Sequence, residues 1–111
     1  MGKKRIEFLR GTLDMLILTA LSHEELHGYA VAERIKLVSK DVLEIDEGSL
    51  YPALQRMLAR GWIRARWGTS ENNRKARYYK LTAEGRRQLQ DEVSSFERLA
   101  NAIFRVVRSG G

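Results

Sequence analysis

The apolar residues of this chain change their spacing at Gly61, and few small folds satisfy both halves of the pattern. Upstream, Leu13, Leu16, Ile17, Ala20 and Leu21 recur at helical intervals. Tyr29, Val31, Ile35 and Val38 suggest a second, shorter helix, and Leu50, Leu54, Met57 and Leu58 form the stripe of a third. Downstream, Ile63, Ala65 and Trp67 alternate with Arg64 and Arg66, the period of a half-exposed strand. Residues 77–81 supply a partner strand, and the polar stretch 68–75 (GTSENNRK) is suited to a projecting hairpin tip. Three helices followed by a hairpin is the order of a winged helix-turn-helix, a mostly α fold with a small β-hairpin.

Local signals set the boundaries. Thr12 is placed to cap the first helix, and His27 and Gly28 separate it from the second, which ends around Ser39 and Lys40. Ser49 is expected to cap the third helix, with Pro52 in its first turn, where no intrahelical N–H bond is lost, and Gly61 as its stop.

Charge then says what the hairpin is for. Residues 60–80 hold seven Lys or Arg against the single acid Glu71, whereas the segments on either side carry nets of −1 and +1 in a chain of net +6. A basic stretch interleaved with Trp62, Trp67, Tyr78 and Tyr79 is suited to gripping a polyanion, and nucleic acid is the leading partner. In a winged fold the third helix enters the major groove and the hairpin follows the backbone. Opposite its apolar stripe the third helix offers Tyr51, Pro52, Gln55 and Arg56 for bases, sugars and phosphate, and Ser49 can serve a phosphate as well as a cap. In the wing, Arg74, Lys75 and Arg77 are the phosphate candidates with Asn73 at the tip, while Trp62 and Tyr79 read as packing. Asp41, Glu44, Asp46 and Glu47 are unfavourable near phosphate and read as structural or solvent-facing.

After Thr82, a second capping candidate, Leu89, Val93, Phe96, Ala100, Ile103 and Val107 follow at spacings of 4, 3, 4, 3 and 4, a heptad seam. A helix from Ala83 to Arg108 would be about 39 Å long at 1.5 Å per residue, more than a small winged domain covers. Its seam is expected to face a second copy, giving a homodimer whose third helices lie about 34 Å apart on double-stranded DNA. The expected organisation is residues 1–81 as the DNA-binding unit and 82–111 as the dimerisation helix, within one compact domain overall.

Several classes are set aside. Without cysteine the chain has no disulfide or thiolate metal site. His23-Glu24-Glu25-Leu26-His27 spells H-E-x-x-H, but Gly28 follows at once and these are the only histidines, so neither metal nor cofactor nor catalysis is expected. The basic start Lys3, Lys4, Arg5 before an apolar run resembles a secretory signal, but Glu7, Arg10 and Asp14 interrupt it and no segment approaches the roughly 20 apolar residues of a membrane span. A soluble cytoplasmic protein is the expectation. A winged-helix module for protein or RNA is the alternative with the same fold.

Three segments together, HGYAVAERI (27–35), EGSLYPALQRMLARGWI (47–63) and NRKARYYKLTAEG (73–85), closely resemble the PadR family of bacterial transcriptional regulators. The resemblance covers nearly the whole chain and implies a dimeric repressor whose first and last helices form the interface, which brings Leu13 and Leu16 to the seam. It implies DNA contacts from Tyr29, Ser49, Tyr51, Pro52, Gln55, Arg74, Lys75 and Arg77, of which Tyr29 is not picked out as a contact by composition alone. Some members bind aromatic compounds between their C-terminal helices, and Phe96 matches the aromatic that stacks on them, so the resemblance also implies a small aromatic effector there.

Overall fold

A computed structural model describes residues 10–110; the signal-like start at Lys3, Lys4, Arg5 and Glu7 lies outside them. The chain runs α1 (Arg10–His23), β1 (Leu26–His27), α2 (Gly28–Val38), α3 (Glu47–Ala59), β2 (Ile63–Thr69), β3 (Lys75–Leu81) and α4 (Ala83–Arg108). The predicted stripes of α1 and α3 turn inward, and that of α2 does so at Val31 and Ile35 but not at its ends, where Tyr29 and Val38 are exposed. Leu13, Ile17, Leu18 and Leu21 of α1, Val31 and Ile35 of α2, and Leu50, Ala53, Leu54 and Met57 of α3 form one core, closed by Ile63, Tyr79 and Leu81 of the sheet. Burying a side chain of this size is worth about 1.5–3 kcal/mol against leaving it in water.

The hairpin pairs antiparallel from Ile63 opposite Leu81 to Thr69 opposite Lys75, so the strands run further than expected and the loop shrinks to residues 70–74. It closes on itself: Ser70 donates to the Arg74 carbonyl at 2.8 Å, Asn73 donates to the Ser70 carbonyl at 2.9 Å, and Asn73 takes a left-handed φ of 58°. The third strand, β1, was not anticipated, because two residues show no alternation. It pairs Leu26 with Tyr79 and His27 with Tyr78, giving the order β1-β3-β2.

Three boundary expectations are corrected. Thr12 lies inside α1, which already runs at Arg10; there Gly11 approaches α4 so closely that an added Cβ would stand 3.2 Å from Glu92 Oε2. Tertiary packing extends the helix past its local start signal. Asp46, not Ser49, caps α3: its carboxylate accepts from the Ser49 N–H at 2.8 Å, and an ionised cap suits the positive end of a helix. Pro52 is therefore the sixth residue of α3, beyond the first turn, and the Gly48 carbonyl lacks the N–H it would otherwise receive.

The stop at Gly61 is a Schellman motif. Gly61 has φ 75°, its N–H donates to the Leu58 carbonyl, and the Trp62 N–H donates to the Met57 carbonyl at 3.0 Å. α4 starts where expected, with Thr82 Oγ1 accepting from the Gly85 N–H at 3.0 Å. α4 packs against α1, with Leu89 against the core, but the helix is apolar well beyond that contact. Phe96, Leu99, Ile103, Phe104, Val106 and Val107 are all exposed, Val106 and Val107 by more than two-thirds. Of the expected interface residues, Leu13 is 7 % exposed and faces its own core instead; Leu16 and Leu89 are half-covered, and Val93 and Ala100 are intermediate. Among the described residues, no helix is long and apolar enough to cross a membrane.

Candidate nucleic-acid interface

With Leu50, Ala53, Leu54 and Met57 turned inward, helical geometry leaves Ser49, Tyr51, Pro52 and Gln55 on the outer side of α3, and all four are exposed. The Tyr51 ring lies on the start of α2: a Cβ added to Gly28 would stand 3.0 Å from its ring. Glycine there lets the two helices meet through an aromatic plate, next to Tyr29, which is 60 % exposed. His27 sets this corner by capping α2, its Nδ1 accepting from the Ala30 N–H at 3.2 Å.

The H-E-x-x-H reading loses its premise here. His23 ends α1 and His27 stands in β1 as the cap of α2, so the pair does not share one helix. Among the described residues, no group of three or more His, Asp or Glu is placed to hold a metal ion.

Arg56, expected to reach phosphate, is drawn inward. Its Nη2 donates to Asp14 Oδ1 of α1 at 2.5 Å, and its Nε is buried with no partner. A buried carboxylate demands a counter-charge, which a reading of helix faces cannot foresee.

The wing has two unlike faces, since side chains alternate across a strand. On one, Arg66 donates to both oxygens of Glu25, from Nε at 2.9 Å and Nη2 at 2.6 Å, and stacks on Tyr78. The Arg66 hydrogen bond holds the Glu25 carboxyl below its ordinary pKa, and Glu25 raises that of Arg66 in turn. Tyr78 donates to the Thr69 carbonyl and meets the edge of His27. On the other face, Lys75 Nζ lies 5.1 Å and the Arg77 guanidinium 5.9 Å from the centre of the Trp67 ring. Inward along this face Tyr79 is buried, which raises its phenol pKa; Arg77 and Tyr51 are both near enough to act on it.

The structure thus joins Tyr29, Tyr51, Tyr79 and Arg77 around the α2, α3 and β3 corner, whereas the bonds fixing Asn73 and Arg74 stay within the hairpin. Sequence reasoning did not single out Trp67: alternation puts it on the strand face of Ile63 and Ala65, yet it is 60 % exposed because β2 outruns the core. Charge counting also treated Arg66 as a free cation, and only its distance to Glu25, 41 residues away, shows otherwise.

Known proteins converge on one description. Two solved structures share the fold: a transcriptional regulator of Clostridium thermocellum, with TM-score 0.81 and 27 % identity over 89 % of this chain and 96 % of that one, and a PadR-like transcriptional regulator of Bacillus cereus, with TM-score 0.75 and 28 % identity over 90 % and 95 %. An uncharacterised protein X of Lysinibacillus sphaericus is 27 % identical over 99 residues, 89 % of this chain and 91 % of that one. The model of the transcriptional regulator PadR-like family matches residues 17–91, from the core of α1 through the wing into α4, so the chain belongs to that family and is a transcriptional regulator rather than an enzyme.

Proposed function

We propose that this regulator is a homodimeric repressor that binds a pseudo-palindromic operator in double-stranded DNA, with α3 in the major groove and the wing along the backbone. The observation that carries the reading is the pairing of an exposed α3 side, Ser49, Tyr51, Pro52 and Gln55, with a wing face whose cations Lys75 and Arg77 have no acidic partner within 4 Å among the described residues. Tyr51 and Gln55 read base edges, Gln55 being suited to the bidentate pattern of adenine. Ser49, near the positive end of α3, Tyr29 and Pro52 meet the backbone, and Asn73, Arg74, Lys75 and Arg77 take phosphates.

Residues 1–81 act as the DNA-binding unit and 82–111 as the dimerisation helix. The seam of Val93, Phe96, Ala100, Ile103 and Val107, flanked by Leu16 and Leu89, meets its copy and sets the two α3 helices about one DNA turn apart. A groove between α1 and α4, lined by Gly11, Thr12, Met15, Glu92, Ser95, Phe96 and Leu99, supports a small aromatic effector stacking on Phe96.

The test is fluorescence anisotropy on a labelled duplex from upstream of the chain's own gene and on a scrambled duplex, at several salt concentrations. Preference for the native duplex by about 10³-fold or more, lost in Tyr51→Ala and Gln55→Ala, supports the operator reading. Equal binding to both duplexes, untouched by those substitutions, overturns it.

A further inference from the structure

We propose that Trp67 is a backbone contact of the wing: its indole packs on a deoxyribose while Lys75 and Arg77, which lie over its ring, take the flanking phosphates. The inference rests on the duplex reading above and adds a residue, a contact chemistry and a strand preference to it. Three observations carry it.

Trp67 is a large aromatic at 60 % exposure on a hairpin face whose other large apolar residues, Ile63, Tyr79 and Leu81, are buried. It stands opposite Arg77 and diagonal to Lys75 on one face, and both cations lie within cation–π range of its ring. Two residues apart on a strand is about 6.6 Å, so two positive charges with that backbone spacing gather on one exposed indole. A sugar–phosphate chain presents the complement, anions spaced along an apolar ribbon.

The opposite face offers no such site. Glu25 engages Arg66 through both its oxygens, and Tyr78 is closed off by Arg66, His27 and the Thr69 carbonyl. The Trp67 face is also the one that runs inward to Tyr79, beside Tyr51 of α3. A duplex seated on α3 therefore meets this face of the wing.

Sugar rather than base is assigned because a duplex keeps its bases stacked and presents sugars at the groove wall, whereas aromatic stacking platforms for bases serve single strands. The contact is thus blind to sequence.

The experiment uses the full chain with Trp62→Phe, leaving Trp67 as the only indole, and end-labelled native and scrambled duplexes, with anisotropy of the label as an independent measure of binding. Saturation with either duplex is expected to protect Trp67 emission from acrylamide. Trp67→Ala is expected to weaken both duplexes by the same factor, about tenfold, with the salt slope unchanged. Trp67→Phe is expected to stay within about threefold, while Lys75→Ala lowers the slope by about 1. A melting curve for each variant separates lost contact from lost fold.

Unprotected emission in a saturated complex overturns the proposal, as does wild-type binding by Trp67→Ala or a loss confined to the native duplex. If Trp67→Ala is silent while Tyr51→Ala abolishes the native preference, only this inference falls. Failure to bind any duplex overturns it together with the operator reading.

Discussion

Arg56 of α3 donates from Nη2 to Oδ1 of Asp14 on α1 at 2.5 Å, across a boundary where the Asp14 side chain is 3 % exposed. The proposed recognition helix is thereby tied to the helix that packs on α4. Removing one partner leaves the other charge buried without compensation, whereas replacing both with apolar residues of similar size is often neutral. Arg56 keeps 26 % of its side chain in water, which softens the loss. Arg56→Met alone should cost about 2–4 kcal/mol in denaturant unfolding, and adding Asp14→Leu should restore most of it. Duplex affinity of the double variant then reads the arginine's own part in binding. If the fold is restored but affinity falls by less than about threefold, Arg56 acts through the fold rather than on DNA.

Gly85 shows a local preference overruled by a tertiary contact. In the first turn of a 26-residue helix, alanine would ordinarily gain up to about 1 kcal/mol over glycine. A Cβ at this position would stand 2.0 Å from the Trp62 carbonyl oxygen and 2.7 Å from Leu81 Cδ1. The first obstacle is backbone, and it is pinned: the Thr82 N–H donates to that carbonyl at 3.0 Å and the Thr82 hydroxyl lies 2.9 Å from it. Overpacking at such a junction costs about 3 kcal/mol, so Gly85→Ala should be destabilising by about 2 kcal/mol net. Thermal melting with an equal or higher Tm would show that α4 can shift off Trp62 and Leu81.

The fold was legible because its signals are periodic and local. The stripe at Leu50, Leu54 and Met57, the stop at Gly61, the cap at Thr82 and the extent of α4 all follow from spacing and turn chemistry that tertiary packing does not disturb. What escaped reading is what distance in space decides. Two residues of β1 become a strand only because β3 is beside them, and Asp46 displaces Ser49 as a cap by geometry rather than residue type. Among candidate contacts, Tyr51, Pro52 and Gln55 follow from the helical face, and they are exposed. Arg56 and Arg66 read as free cations until Asp14 and Glu25 are placed, 42 and 41 residues away.

The Glu25–Arg66 pair makes a pH prediction of definite sign. Its hydrogen bonds from Arg66 hold the Glu25 pKa below the ordinary value in the folded chain. A depressed carboxyl contributes stability that is present above the unfolded pKa of about 4.3 and is lost as pH falls through the folded value. Both side chains reach the surface, so the amplitude is small and salt-sensitive. Arg66→Gln should bring the Glu25 midpoint back up toward the ordinary range in an NMR titration and flatten the acid limb of stability below about pH 4. An unchanged midpoint would mean that the pair does not persist in solution. Because Glu25 already neutralises Arg66, this substitution should alter the salt slope of duplex binding less than Lys75→Ala does.

The exposed half of α4 yields the most consequential prediction. Ile103 is 49 % and Phe104 48 % exposed, with Phe96, Leu99, Val106 and Val107 around them, a contiguous apolar surface longer than a single soluble domain normally leaves in water. Burying it against a second copy explains both the heptad spacing and the length of the helix. A charge at the seam then meets its own copy near the two-fold axis, where like charges repel and desolvation is unfavourable. Ile103→Glu should therefore convert a dimer into a monomer in sedimentation equilibrium, and the concentration dependence of Tm expected for the parent should disappear. Each monomer keeps its α3 and wing, because Ile103 lies outside the core. It should still bind duplex weakly and in a salt-dependent way while losing the gain from engaging two half-sites, a factor of about 10² or more. Retention of the dimer by Ile103→Glu would place the interface elsewhere on the chain.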